Sequence, residues 1–420
     1  MLFCLIFFLQ PYPMKSLINF CRRHRKQIVT GIILFAIVLI VYLAIDYRGP
    51  REICLRPDRA FGMECMRARD LIVQEYDEEG NLWASRGMIV YKQVRGEDKF
   101  TRIAHVPTGF SLFWLRNFTL LRRFTVRPEC IEMVTGPGGE ICALSAGKIW
   151  FCPGGEKKFE MAMELAHYGF GDQGIRNDGI IRTDDSTLFI GEYFQNEERT
   201  KVRIFESHNL GRSWRTAYTF QPGEIRHIHA LQKDPYTGKL WICTGDKNEE
   251  SMIAWSEDNF KTIVPAGKGS QIWRVCQLVF TEDAIFWGSD NSSAEMAGIY
   301  RLDKDTQELS KLTEVDGAVF FGTRLAQGTI VMSTDREGWD IEKDNHTRLW
   351  ITKDDKFVKS MVGGTWKHNK PGFKFKFAQL RFQRNQGSPS LAISCLNQKE
   401  FPDGDLLIIP EKTLLKALND

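Results

Sequence analysis

The sequence predicts an all-β fold, a β-propeller of six or seven blades with seven preferred, set behind one N-terminal apolar helix. Three observations carry this expectation. A short apolar strand running into a polar, usually acidic, turn recurs seven times along the 420 residues. The copies lie at intervals of roughly 40–65 residues, the length of a four-stranded blade. Between the copies no sustained helical periodicity appears. A β-sandwich shares the short strands and the Gly/Pro turns, but not the repeated strand.

The chain begins with a membrane signal. Ile28 to Ile45 reads I-V-T-G-I-I-L-F-A-I-V-L-I-V-Y-L-A-I without a charge, which just suffices to cross a hydrocarbon core of roughly 30 Å. Lys15, Arg22, Arg23, Arg25 and Lys26 precede it, so the positive-inside rule places the N-terminus in the cytoplasm and the rest beyond the bilayer, periplasmic or extracellular. No small-x-small cleavage site follows the run, which favours an uncleaved anchor over a signal peptide. Met14 offers a second start. The expected organisation is a basic segment over 1–27, a transmembrane anchor over 28–45, a linker over 46–60 and the propeller over 61–420.

Composition narrows the partners. With 43% hydrophobic and 26% charged residues the chain can bury a large core, and a net charge of +3 without a long basic block argues against nucleic acid. The ten cysteines include no C-x-x-C pair or zinc spacing. Cys152, Cys243, Cys276 and Cys395 stand inside apolar runs and are expected in the core, while Cys54 and Cys65 are candidates for a disulfide. Trp241, Trp255, Trp273, Trp287 and Trp339 sit mostly at core spacing.

The repeated strand reads N-L-W-A-S-R-G from Asn81, K-I-W-F-C-P-G from Lys148, T-L-F-I-G-E-Y from Thr187 and K-L-W-I-C-T-G-D from Lys239. It returns as A-I-F-W-G-S-D from Ala284, T-I-V-M-S-T-D from Thr329 and L-A-I-S-C-L-N from Leu391. The fullest copy belongs to a predicted hairpin, Arg226–Asp246, turned by D-P-Y-T-G. Antiparallel pairing brings Arg226-His227-x-His229 and Thr244-Gly245-Asp246 to one edge.

A second element recurs. Ser207-His208-Asn209-Leu210-Gly211-Arg212-Ser213-Trp214 resembles the Asp-box (BNR) turn, S-x-D-x-G-x-[ST]-W, of sialidase-like propellers, with Asn209 for the usual Asp. Ser256-Glu257-Asp258-Asn259-Phe260-Lys261-Thr262 matches without the Gly and Trp, and Thr352-x-Asp354 more weakly. The resemblance covers about residues 180–360 and implies turns closed by Asx and hydroxyl side chains on the face opposite the ligand. The family contains glycosidases, polysaccharide lyases and non-enzymatic binders.

In that fold the inner strand of each blade starts, and the second strand ends, at the ligand face. First-strand starts contribute Arg176, Asn177 and Asp178, then Arg226, His227 and His229, then Gln271 and Arg274. Second-strand ends contribute Glu192 and Tyr193, then Asp246, Asp290 and Asp335 with Glu337. Three arginines opposite a crescent of carboxylates suit an acidic ligand. The set is similar in kind to the arginine triad, Tyr–Glu pair and acid/base Asp of sialidases, although the histidine pair has no sialidase counterpart. The expected catalytic residues are His227, His229, Asp246, Glu192 and Tyr193; the expected substrate-binding residues are Arg176, Asp178, Arg226, Arg274, Asp290 and Asp335. Two histidines on one strand make half a metal site, and neither metal nor cofactor is expected. The expected partners are an acidic glycan and, through the N-terminal helix, the bilayer. Hydrolysis by paired carboxylates and elimination with a histidine base both remain open, as does a non-catalytic propeller that binds glycan or protein in surface-polysaccharide assembly.

Overall fold

The repeated apolar strands are continuous rather than alternating because each lies in a sheet covered on both faces. Every residue of Leu240–Gly245 and of Ala284–Ser289 is buried, whereas the outer strand Val264–Lys268 is largely exposed. The computed structural model describes residues 24–107, 132–145, 147–167, 179–353, 356, 359–367, 377–401 and 404–419. Their strands form seven antiparallel sheets, five of four strands and two of five. This is a seven-bladed propeller.

In chain order the blades begin with inner strands at Ile72 (blade 1), Glu132 (blade 2), Ile180 (blade 3), His227 (blade 4), Val275 (blade 5), Phe321 (blade 6) and Gln379 (blade 7). Blade 7 closes the ring. Its inner strands Gln379–Phe382, Ser390–Leu396 and Asp405–Pro410 are completed by Met63–Ala68 and Arg56–Ala60 from the start of the domain. Glu52–Cys54 adds an outer strand to blade 1. Both N-terminal strands lie inside the stretch expected to be linker. Cys54 and Cys65 do not pair: both are free thiols, one exposed at the edge of blade 1 and one buried in blade 7.

The core is divided the same way. Seven apolar clusters are found among the described residues, one between each pair of neighbouring blades. Cys152, Cys243, Cys276 and Cys395 are buried as expected, and Trp241 and Trp287 pack between blades 4 and 5.

The turns that resemble the Asp-box share one hydrogen-bond pattern. In blade 3, Ser213 N donates to Asn209 Oδ1 at 2.9 Å and Gly211 N to Ser207 Oγ at 2.9 Å. In blade 4, Thr262 N donates to Asp258 Oδ1 at 2.9 Å and Phe260 N to Ser256 Oγ at 2.9 Å. Phe260 occupies the place of Gly211 at a φ of 60°, costly for a side chain, while its ring is wholly buried against Phe189. Asp354, of the third copy, lies outside the described residues.

Among the described residues one α-helix precedes the strands in the chain and one follows them. Helix α1, Arg25–Arg48, belongs to a unit ending at Pro50, separate from the propeller unit Arg51–Asp420. Its residues from Lys26 to Val41 are exposed without exception, so it has no face reserved for packing. Among the described residues no helix is long and apolar enough to cross a membrane. The predicted span continues past Val41, where the side chains of Tyr42, Ala44 and Ile45 lie outside the described ones. Helix α2, Glu411–Asn419, was not expected from the strand repeats. Its buried Glu411 accepts from Gln327 N and Thr329 N at 2.8 and 3.0 Å, tying the C-terminus to blade 6.

Candidate functional site

Because strands alternate in direction, the starts of inner strands and the ends of second strands share one mouth of the channel. The turns Ser207–Trp214 and Ser256–Thr262, between third and fourth strands, fall on the other face. At the first mouth, blades 3, 4 and 5 converge on Asp246. Arg226 Nη1 lies 2.5 Å from Asp246 Oδ2, and Arg274 Nη2 3.4 Å from Oδ1. His229 Nε2 and His227 Nε2 lie 3.3 and 3.5 Å from the same Oδ1. Burial raises the Asp246 pKa, but the hydrogen bonds and charges of His227 and His229 outweigh it and hold the carboxyl far below its usual range.

The two imidazoles face one another, Nε2 to Nε2, at 3.0 Å. Each is anchored from behind by a neighbouring blade: His227 Nδ1 is 3.1 Å from the Phe194 carbonyl, His229 Nδ1 3.1 Å from that of Val275. Simple strand alternation would already put both on one face, but the register shows more. His227 pairs with Gly245, Ile228 with Thr244 and Ala230 with Cys243, leaving His229 as the extra residue of a β-bulge. Gly245 is required opposite it, since a Cβ there would stand 2.9 Å from His229 Cε1 and 3.1 Å from Arg274 Cγ. A second irregularity between Val275 and Leu278 brings Cys276 toward the cluster, its Sγ 3.3 Å from Asp290 Oδ2.

Tyr193 joins the site: its ring stacks on His227 with centroids 4.1 Å apart. Asp290 joins through Arg274 Nε, 3.4 Å away. Arg226 also donates to Gln195 Oε1 at 2.6 Å and pairs with Glu197. Other expected members are elsewhere. Glu192 is buried and held by its own blade, accepting from Arg203 N at 2.7 Å, with Arg203 Nη1 at 3.5 Å. A Tyr193–Glu192 pair therefore does not form, as two successive side chains on a strand point apart. Asp335 is fully buried and accepts from Leu380 N at 3.3 Å, stitching blade 6 to blade 7 rather than facing a ligand. Arg176 and Asp178 lie outside the described residues. The residue missed from sequence is Cys276, whose buried strand position is that of any small apolar residue.

The opposite mouth is differently built. A cavity of about 430 Å³ there is lined by ends of inner strands and by the blade 7 turn Arg384-Asn385-Gln386. Its charges, among them Glu75, Arg182 and Arg384, are mixed in sign and partly paired to one another.

No family model and no curated protein matches this chain. Solved structures do. An oligogalacturonate lyase in complex with manganese is 10% identical over 86% of this chain and 98% of its own, with a TM-score of 0.54. The GH74 enzyme of Niastella koreensis is 12% identical over 79% of this chain and 51% of its own, with a TM-score of 0.50. At such identities the likeness speaks for the fold alone: the chain is an all-β, seven-bladed propeller.

Proposed function

We propose that the protein is a membrane-anchored propeller that takes an acidic glycan at the mouth formed by blades 3, 4 and 5 and cleaves it by elimination. The observation that carries this reading is the convergence of Arg226 and Arg274 on one carboxylate at the channel mouth. Glu197, a partner of Arg226, is 72% exposed, so a ligand carboxylate displaces it at little cost. One of the two similar structures named above is a lyase of oligogalacturonate, an acidic glycan, which supports the reading.

Elimination is preferred over hydrolysis because the second carboxylate of the expected pair, Glu192, is occupied by Arg203, and Asp246, held ionised, is no proton donor. The histidines are poorly placed as bases: both are buried, and their Nε2 atoms face each other instead of the mouth. Proton transfer then falls to Tyr193, half-buried beside His227: as phenolate it takes the proton α to the substrate carboxylate, the C–O bond at the β carbon breaks, and the departing oxygen takes that proton back, while the two guanidiniums balance the charge that develops on the substrate carboxylate.

The test is a depolymerisation screen against acidic polysaccharides. Elimination from a uronic acid leaves an unsaturated product that absorbs in the ultraviolet, and Tyr193→Phe abolishes it while Arg226→Ala weakens binding by about 1.5–3 kcal/mol. Binding without any cleavage would leave the non-catalytic alternative, a glycan-binding propeller. The anchor is tested separately: the full chain is expected to remain in the membrane pellet after a high-salt wash, and a soluble species beginning near Ile45 would count against it.

A further inference from the structure

We infer that His227, His229 and Asp246 form a binding site for one divalent first-row transition metal ion, at the mouth of blades 3 to 5. A backbone carbonyl only accepts, so the contacts of His227 Nδ1 to Phe194 O and of His229 Nδ1 to Val275 O, each 3.1 Å, place the ring proton on Nδ1 in both residues. In the neutral rings both Nε2 atoms then carry lone pairs, and these are the atoms held 3.0 Å apart. Asp246 Oδ1 completes a triangle at 3.3 and 3.5 Å. Three such donors aimed at one point are held together by a cation between them, either the proton of an imidazolium or a metal ion.

The triangle has the right size. A circle through atoms separated by 3.0, 3.3 and 3.5 Å has a radius of about 1.9 Å, slightly below the roughly 2.0–2.2 Å of metal bonds to imidazole nitrogen and carboxylate oxygen. An ion at bonding distance stands just off the plane of the three donors, the arrangement of a two-histidine, one-carboxylate facial set with its remaining positions open. Two imidazoles select an ion such as Mn²⁺, Co²⁺ or Zn²⁺ over Ca²⁺ or Mg²⁺.

The outer contacts fit as well. Ligating histidines are oriented by donating their second N–H to a carbonyl or carboxylate, as both do here. Asp246 offers Oδ1 to the ion because Arg226 takes Oδ2. Arg274, 3.4 Å from Oδ1, has Asp290 at the same distance on its other side and is 22% exposed, so it can withdraw from the ion. The charge balance also improves: Asp246, Asp290 and Glu197 outnumber Arg226 and Arg274, and a dication reverses that sign in favour of an acidic ligand. The metal site itself stands on the donor geometry and does not need the glycan reading.

The experiment uses the full chain in detergent, stripped with a chelator and titrated with Co²⁺. One equivalent is expected to produce a saturable visible absorption band of imidazole and carboxylate coordination, displaced by Zn²⁺ and not by Ca²⁺. His229→Gln and Asp246→Asn each weaken Co²⁺ binding by at least about 100-fold, while His208→Gln, on the opposite face, leaves it unchanged. Circular dichroism checks that the variants fold, and the wild-type spectrum decides alone if they do not: a titration without a saturable band overturns the inference, as does equal affinity in folded variants. Binding of acidic polysaccharide to the Co²⁺-loaded protein is measured in parallel, so that a band without polysaccharide binding sinks only the glycan reading.

Discussion

Arg381 of blade 7 grips Glu132 of blade 2 through two parallel hydrogen bonds of 3.0 and 2.9 Å. Both side chains are nearly inaccessible, 3% and 4% exposed. Blade 1 lies between their blades in the ring, so the pair reaches across the channel from one inner strand to another. Removing one partner leaves a buried charge uncompensated, expected to cost about 3–5 kcal/mol. Glu132→Gln and Arg381→Met are therefore each strongly destabilising in denaturant titrations, and the double replacement Glu132→Leu with Arg381→Met recovers most of the loss. Single variants within 1 kcal/mol of wild type would show that the brace contributes little.

Closure makes a second prediction. Deleting Leu391–Asp420 removes Asp405–Pro410 and nearly all of Ser390–Leu396, leaving Gln379–Phe382 without its partner and Met63–Ala68 paired only with Arg56–Ala60. Two sheet edges and the clusters on both sides of blade 7 are then opened. The truncated chain is expected to lose the whole cooperative transition, and a stable six-bladed fragment in limited proteolysis would contradict it.

The blade 4 turn makes a pH-dependent prediction. The Thr262 hydroxyl, then its backbone N–H, hold the Asp258 carboxyl down to about 2 from 3.8. A depressed carboxyl stabilises the fold above its unfolded value and loses that contribution as pH falls through the folded one. Thr262→Val is thus expected to be less stable than wild type at neutral pH, with the difference shrinking between about pH 4 and pH 2. A difference that stays constant over that window, measured by denaturant titration at each pH, would assign the effect to packing instead.

Gly245 makes the last. Gly245→Ala presses a methyl against His229 Cε1 and Arg274 Cγ, and overpacking of this kind costs about 1–3 kcal/mol. The expected outcome is a folded protein whose Co²⁺ and acidic-polysaccharide affinities both fall by about tenfold. Unchanged affinities would mean that the bulge at His229 yields without moving the donors.

How much of this was legible beforehand depends on the range over which each feature is decided. The seven strand copies, the Arg226–Asp246 hairpin and the serine-led turns are local patterns, and covered sheets impose continuous apolar runs on any chain that forms them. They located the blades, and they brought Arg226, His227, His229, Asp246, Arg274 and Asp290 to one mouth. Local pattern is silent on register and on partners from other blades. The bulge at His229, the carbonyls of Phe194 and Val275 behind the two rings, and Cys276 beside Asp290 exist only once blades 3, 4 and 5 are packed. Glu192 and Asp335 shared the sequence signature of Asp246, yet went to Arg203 and to the Leu380 backbone, because a strand-end carboxylate takes whichever donor its neighbours present. The ring itself was decided last. Arg56–Ala60 and Met63–Ala68 carry no repeat signature and become part of blade 7 because an open sheet edge beside Asp405–Pro410 leaves its hydrogen bonds unmade.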